Sequence, residues 1–427
     1  MERFFGIFGI IFIFAIAFLM SNNKKAINYK TIGMGFLLQI LLAVFIFKVP
    51  IGRTIFLKLG EFITKILDFA KEGGEFVFGP LMNNNETLAN VFGTGASVFA
   101  LQLISSLIFM MILVNILYYY GIMQRVVPIL GKAMNKLMSV SGAEALSNVA
   151  SAFVGQIAAQ IMIRPYLEKL TRSEMLASMA GSMACISAAT MPIYIGLGIP
   201  AQYLLAASIM AAPGALVMSK IVYPETGTPE TSEDIKIKFS KRRRPYTNLF
   251  DAISQGASEG IKVGINVVAM IIALVALVAF IDWVLGGIGN LIVNYTHVNF
   301  ASFDLTQLSL KTILGKIFSL FAYLMGVPME EATTVGSLMG TKLVLNEMVA
   351  YVDLSSLPEA LSNKSYLIAC IALCSFGNFG SIAIQLGGIG ELAPNQRKNL
   401  ARLGVRALIC GTLTGYMSAA IAGILLG

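Results

Sequence analysis

Residues 369–390 read ACIALCSFGNFGSIAIQLGGIG, an apolar run interrupted by Gly377, Gly380, Gly387 and Gly388. The run is long enough to cross a bilayer, but its glycines and the polar Asn378 fall where a spanning helix should be continuous. Just upstream, residues 313–352 (ILGKIFSLFAYLMGVPMEEATTVGSLMGTKLVLNEMVAYV) carry Glu330, Glu331, Lys342 and Glu347 inside an otherwise apolar stretch. Non-helical backbone and charge at membrane depth are tolerated only where protein or a watery cavity surrounds them. The pair therefore reads as a re-entrant hairpin followed by a broken helix. The same order occurs earlier: residues 141–163 (SGAEALSNVASAFVGQIAAQIMI) precede 181–200 (GSMACISAATMPIYIGLGIP), which has Pro192 and two glycines inside. Each unit is followed by one more plain apolar span. Paired interrupted segments in two halves of a chain point to a secondary-transporter site near the midplane.

The rest of the chain fits that frame. Of 427 residues, 56% are hydrophobic and only 13% charged, and mean hydropathy is +0.77. A soluble domain carries roughly 25% charged residues to keep its surface wet, which excludes a soluble enzyme and a disordered chain. The apolar runs are continuous, not alternating, so a membrane β-barrel is excluded as well. Spans are expected near 4–20, 31–49, 97–119, 175–198, 201–217, 262–285, 366–390 and 403–426. The first is read as an uncleaved span: Ala15-Ile16-Ala17 imitates a cleavage site but lies within the apolar run. The fold class is thus an all-α polytopic membrane protein with about eight spans and two re-entrant hairpins. An odd number of crossings separates the two units, so they form inverted repeats.

Four regions follow: an N-terminal scaffold over 1–95, a first repeat over 96–218, a cytoplasmic loop with an amphipathic helix over 219–262, and a second repeat over 263–427. Within the scaffold, residues 50–90 are amphipathic, with Arg53, Lys58, Lys65 and Lys71, and suit the membrane surface better than its interior. The net charge of +8 lies mainly in short loops, including the run Lys241-Arg242-Arg243-Arg244. By the positive-inside rule those loops face the cytoplasm and both termini face outside. A nucleic-acid role is not needed to explain them. Cys185, Cys370, Cys374 and Cys410 lie in apolar segments without metal-ligand spacing, and the single histidine, His297, sits in a loop. Histidine-based chemistry inside the membrane is excluded, and no nucleotide-binding motif is present.

Glu347 is the sharpest chemical feature, because a carboxylate at a helix centre costs ~2.5–3.5 kcal/mol on insertion scales. Water, a ligand hydroxyl or a cation offsets that cost. An ion pair with Lys342 is the plain alternative, although five residues apart the two do not share a helix face well. Asn378 and Ser381, three apart, offer an amide and a hydroxyl on one face, and Phe376 a ring for stacking. Helix packing by small residues is the competing reading of that segment. Gly155 and Gln156 place a bifunctional amide at the tip of the first hairpin, a role Gln160 would fill equally. Together these groups suit a polar, uncharged ligand with hydroxyls and a flat ring. A channel would need a continuous polar pore, and an intramembrane enzyme a base and nucleophile; the sequence offers neither.

The run Gly340-Thr341-Lys342-Leu343-Val344-Leu345-Asn346-Glu347-Met348-Val349-Ala350-Tyr351 resembles the GxKxxxNEFVAY signature of concentrative nucleoside transporters. CSFGNFGSIAI at 374–384, Gly387 to Gly390, Leu392 to Asn395 and Arg397-Lys398 continue the likeness. In the first half Phe153-Val154-Gly155-Gln156, Ile163 to Tyr166 and Thr171 to Glu174 are similar to the region around that family's GQTEAP hairpin. The resemblance runs from about residue 95 to the C-terminus. It implies cation-coupled nucleoside uptake by an elevator-like movement, in a homotrimer in the bacterial inner membrane, with no cofactor beyond co-transported H+ or Na+.

Carried over by position, the ribose-holding residues would be Glu347, Asn378 and Ser381, with Phe376 beside the base. Gly155 and Gln156 match the first hairpin, but Ile157 and Ala158 stand where Thr and Glu are expected, and Gln160 where Pro is. For the cation, the resemblance implies Ser151 (in place of Asn), the Val154 carbonyl, Thr190 beside Ala189 (in place of Ser) and, for a proton, Glu347. The ribose half is retained and the base half is rewritten. Transport of another polar metabolite on the same fold is the alternative this leaves.

Overall fold

The computed structural model describes residues 2–82, 98–231, 246–296, 308–357 and 359–426. The Lys241 to Arg244 run, His297 and the 83–90 end of the amphipathic stretch lie outside the described residues. Among the described residues, all regular structure is helical.

The N-terminal part is α1 (Glu2–Leu19), α2 (Tyr29–Phe47) and α3 (Pro50–Phe78). Asn28 starts α2 by accepting from the Lys30 and Thr31 amides at 3.1 and 3.2 Å, the usual role of an N-cap side chain. Pro50 opens α3, where its missing N–H and fixed φ are harmless. Residues 50–78 of the amphipathic stretch are therefore one helix of 29 residues.

Two series of elements then follow in the same order. The first is α4 (Phe99–Tyr119), α5 (Met123–Met138), the hairpin α6 (Gly142–Val154) and α7 (Gln156–Met162), a short α8 (Arg164–Leu167), the broken helix α9 (Arg172–Ala184) and α10 (Met191–Gly196), and α11 (Ala201–Val222). The second is α12 (Leu249–Thr296), α13 (Leu310–Leu324), the hairpin α14 (Met329–Val344) and α15 (Glu347–Ser355), the broken helix α16 (Asn363–Leu373) and α17 (Phe379–Leu392), and α18 (Arg397–Leu426). The stretch 313–352 was expected to be one broken hairpin. Instead α13 is a separate helix, set at 118° to α14. Gly326 (φ +100°) and Pro328 lie between the two.

Five unbroken segments are long and apolar enough to cross a membrane: α2, α4, α11, α12 and the 394–426 segment that contains α18. The shorter α1 and the two interrupted helices supply the other three expected spans. Burial separates two kinds of helix. The apolar windows of α11 and α18 are 89% and 83% buried, whereas that of α12 is 6% buried. The core thus lies around α9, α11, α16 and α18, which pack on one another. α12 packs along α4 instead. Gly256, Gly260 and Gly264 meet Ile112, Ile108 and Ile104 in turn. The opposite order of the two series makes α4 and α12 antiparallel, as leading helices of inverted repeats must be. Glycines four apart let the two backbones approach.

The root of the first hairpin is fixed by charge. A capping box between Ser141 and Glu144 starts α6. The Glu144 carboxylate also meets Lys220 Nζ of α11 at 2.7 Å, and that ammonium donates to Ser173 Oγ at 2.9 Å. Thr231 completes the anchor by accepting from the Gly142 amide at 3.0 Å and the Ala143 amide at 3.1 Å. Both charged side chains are buried. Removing one partner of such a pair leaves the other charge uncompensated, which costs about 3–5 kcal/mol. Lys220→Met is therefore expected to destabilise the protein by that amount in denaturant-induced unfolding. A loss of about 0–1 kcal/mol, typical of exposed pairs, would show that the pair does not anchor the hairpin.

Candidate functional site

Both hairpins turn at a break whose residues are chosen for it. Gly155, at φ +85°, separates α6 from α7, a conformation that strains any residue with a Cβ. In the second hairpin Asn346 caps α15, its side chain accepting from the Val349 amide at 3.0 Å. Glu347 becomes the first residue of that helix, where the helix dipole favours a carboxylate. Asn378 does the same for α17, accepting from the Ser381 amide at 2.9 Å. The rule behind all three is that helix ends need partners for their free N–H and C=O groups.

These ends meet. Gln156 Nε2 donates to Ser381 Oγ at 3.3 Å, joining the first hairpin to the second broken helix. The Ser381 hydroxyl has two acceptors in reach, the Phe376 carbonyl and Asn378 Oδ1. Asn378 Nδ2 donates to Glu347 Oε2 at 3.3 Å. Tyr194 of α10 donates to Glu347 Oε1 at 2.9 Å. A chain of side chains, Gln156–Ser381–Asn378–Glu347–Tyr194, thus connects both hairpins and both broken helices. Gly155, Gln156, Glu347, Phe376, Asn378 and Ser381 are brought together along it, and Phe376 is half-buried beside its partners. Tyr194 is a member the sequence reading missed. Its one signal is that it follows Pro192 in the second half of an interrupted span.

The chain is not saturated. A carboxylate has about four acceptor positions, and Glu347 fills three of them within the protein, from Tyr194, Asn378 and its own backbone amide. Gln156 Oε1 is buried without a hydrogen-bond partner; buried polar atoms in native proteins almost always have one. The site is therefore short of donors at two places. Gln160 does not compete for this role: it accepts from Ser178 Oγ at 2.7 Å and its Nε2 meets Ser182 Oγ at 3.5 Å, locking it against α9. Ile157 packs onto Gly388 of α17, leaving no room there for a Cβ.

The residues considered for a cation lie at the other side of the first tip. Ser151, buried in α6, donates to the Ser147 carbonyl at 2.7 Å. The Ala188 amide donates to the Ala152 carbonyl at 3.1 Å, holding the 185–190 break against the end of α6. Thr190 Oγ1 lies 3.1 Å from Ser187 Oγ, and Ser187 is the side chain nearest Gly155. The hydroxyl nearest the tip thus comes from Ser187, a residue the sequence reading did not name beside Thr190 and Ala189. Among the described residues no group of three or more His, Cys, Asp and Glu stands together. Hydroxyls and carbonyls are ligands for hard cations.

Comparison with known proteins gives the family of the chain. Residues 8–81 and 203–423 match the N- and C-terminal parts of a family described as Na+ dependent nucleoside transporter, and 100–201 match one described as nucleoside recognition. The chain belongs to the Na+ dependent nucleoside transporter family. It is 40% identical to an uncharacterized transporter, YutK, of Bacillus subtilis, covering 99% of this chain and all of that one. It is 35% identical to the nucleoside permease NupC of Helicobacter pylori, covering 99% and 98%. The fold matches a solved structure of CNTnw in an inward-facing substrate-bound state, with TM-score 0.90, 38% identity and coverage of 100% and 98%. A CNTnw variant in an outward-facing state matches with TM-score 0.91 and 37% identity, covering 100% and 99%. The protein is a multi-pass membrane transporter with the concentrative nucleoside transporter fold, not an enzyme.

Asn378 both caps α17 and binds Glu347. Asn378→Ala is expected to lower stability by about 1 kcal/mol through the cap alone, read as a lower Tm in detergent. Asn378→Ser keeps a capping oxygen and should recover most of that loss. Equal losses in the two variants would mean that the cap contributes nothing.

Proposed function

We propose that the protein imports nucleosides across the bacterial inner membrane, driven by a co-transported Na+ or H+. The observation that carries this is the unsaturated chain from Gln156 to Tyr194. The spare acceptor position of Glu347 suits a hydroxyl of a ribose, and Asn378 and Ser381 add an amide and a hydroxyl beside it for the neighbouring hydroxyl. Phe376 offers a ring to the base, and Gln156 brings a bifunctional amide to its edge. Ser151, the Val154 carbonyl and Thr190, with Ser187, are the cation ligands; Glu347 is the carrier if the ion is a proton.

The core of α9–α11 and α16–α18 with both hairpins moves as the elevator against a frame that includes α4 and α12. Support comes from the difference in burial between the two groups and from solved relatives in inward- and outward-facing states. The frame would hold a homotrimer, with both termini outside the cell and residues 96–218 and 263–427 as its two repeats. Transport of a different polar metabolite is the second reading, favoured by Ile157 and Ala158 on the base side.

Uptake of radiolabelled uridine and adenosine into proteoliposomes, with sodium and proton gradients imposed separately, tests the proposal. Accumulation under one gradient, competed by other ribosides, is expected. Glu347→Gln should weaken nucleoside binding about tenfold or more, since hydrogen bonds to a charged group contribute about 1.5–3 kcal/mol. No uptake under either gradient, or equal competition by ribose-free solutes, would overturn it.

A further inference from the structure

Lys342 is completely buried, and its Nζ has no hydrogen-bond partner. The ammonium lies 5.8 Å from the centre of the Tyr416 ring of α18, with Glu347 and Cys374 within electrostatic reach. A buried lysine with no protein group in hydrogen-bonding contact needs another source of negative potential. Its place in the fold supplies one. Lys342 sits in the last turn of α14, and Cys374 is the residue on which α16 ends. Two helix C-termini, each carrying the negative end of its dipole, meet around the ammonium.

The first repeat has the same junction without the lysine. There the last turn of α6 meets the end of α9, which also terminates on a cysteine, Cys185. Ser151 is five residues before Gln156, the first residue of the second arm; Lys342 is five before Glu347. The second tip is one residue longer, Leu345 and Asn346 against Gly155 alone, which brings Lys342 one residue nearer its helix end. Half-helix C-termini and unwound carbonyls are where transporters of inverted-repeat design hold their cations. One junction is lined by hydroxyls; the other contains a covalently attached cation.

We propose that the Lys342 ammonium is a built-in cation: it occupies in the second repeat the position that a co-transported ion takes in the first. This rests on the reading above that an ion binds beside Ser151. The second tip is then permanently organised, with a positive charge always within electrostatic reach of Glu347. The first tip is organised only when an ion arrives, which ties nucleoside binding to that ion at one hairpin. Lys342 is a positioning residue, acting through Glu347 and the tip.

The test replaces the ammonium by the hydroxyl of the other repeat. Lys342→Ser, Lys342→Met and Lys342→Arg are purified, and thermal stability is measured against sodium concentration with choline as control, without nucleoside. Lys342→Ser should gain a sodium-dependent rise in Tm beyond that of the unaltered protein, because a ligand bound only to the folded state stabilises it. Nucleoside uptake at low sodium should fall about tenfold or more in Lys342→Ser and Lys342→Met, because the tip that carries Glu347 then loses the positive charge within electrostatic reach of it. High sodium should restore Lys342→Ser but not Lys342→Met, and Lys342→Arg should transport without it. Should Lys342→Ser not fold, Lys342→Met against Lys342→Arg decides whether charge is what matters. Unchanged uptake in Lys342→Met, or a folded Lys342→Ser with no added response to sodium, would overturn the inference. Absence of nucleoside uptake by the unaltered protein would overturn the transport reading instead, and the sodium-dependent Tm would still judge Lys342.

Discussion

Every feature of the site depends on one constraint: backbone N–H and C=O groups at membrane depth must find partners inside the protein. Four helices stop in the middle of the molecule, at Val154, Ala184, Val344 and Leu373, and four begin there. The structure satisfies the constraint by making these ends face one another. Two of the four N-terminal ends receive side-chain oxygens, from Asn346 and Asn378. C-terminal ends gather where positive charge or an ion is welcome. Ligand binding is therefore a by-product of how the breaks are closed. The capping Asn378 and the Glu347 that begins a half-helix are also the groups left with something to offer a substrate.

The two repeats solve the same problem with different charges. In the second, Glu347 and Lys342 supply a carboxylate and an ammonium near one tip. In the first, Gln156 and Ser151 are their neutral counterparts. A neutral tip is cheaper to carry across a bilayer but weaker at organising its own backbone. A charged tip is stable only while its counter-charge stays. Two identical tips would lose the distinction between a half that waits for an ion and a half that is always ready. On the proposed reading, the asymmetry would make transport conditional at one end only.

Much of this was legible in the sequence, for physical reasons. Glycines and polar residues inside apolar runs have few explanations other than a broken helix, so both hairpins and both interrupted spans could be located. The same holds for Glu347, whose charge would be too costly at membrane depth without a partner. What escaped was whatever depends on packing between distant segments. Gly326 and Pro328 gave a local signal for ending α13, but its separation from the hairpin was hidden by the apolar character of both helices. The role of Tyr194 depends on a carboxylate 153 residues away. Gln160 looked as available as Gln156 until Ser178 and Ser182 were seen to hold it. The stripe of Gly256, Gly260 and Gly264 was readable in principle, but only the partner helix shows why it is there.

The rewritten base side follows from the same packing. At Gly388 the α17 backbone comes close enough to the first hairpin that Ile157 fills the notch. A β-branched apolar side chain is stiff, and buried apolar contact between the two elements replaces whatever a polar pair at 157 and 158 would have read. The first hairpin then docks on α17 by shape, and on the proposed reading Gln156 alone would meet the edge of a bound ring. An amide that both donates and accepts discriminates weakly between rings, since either face of it can be turned to suit. Strong discrimination arises when a fixed group would be left buried and unpaired by the wrong ligand. On the ribose side such groups are present, because Glu347 and Asn378 are held in place from both repeats. On the base side only one is. On the proposed reading, the site would insist on the sugar and accept a range of bases.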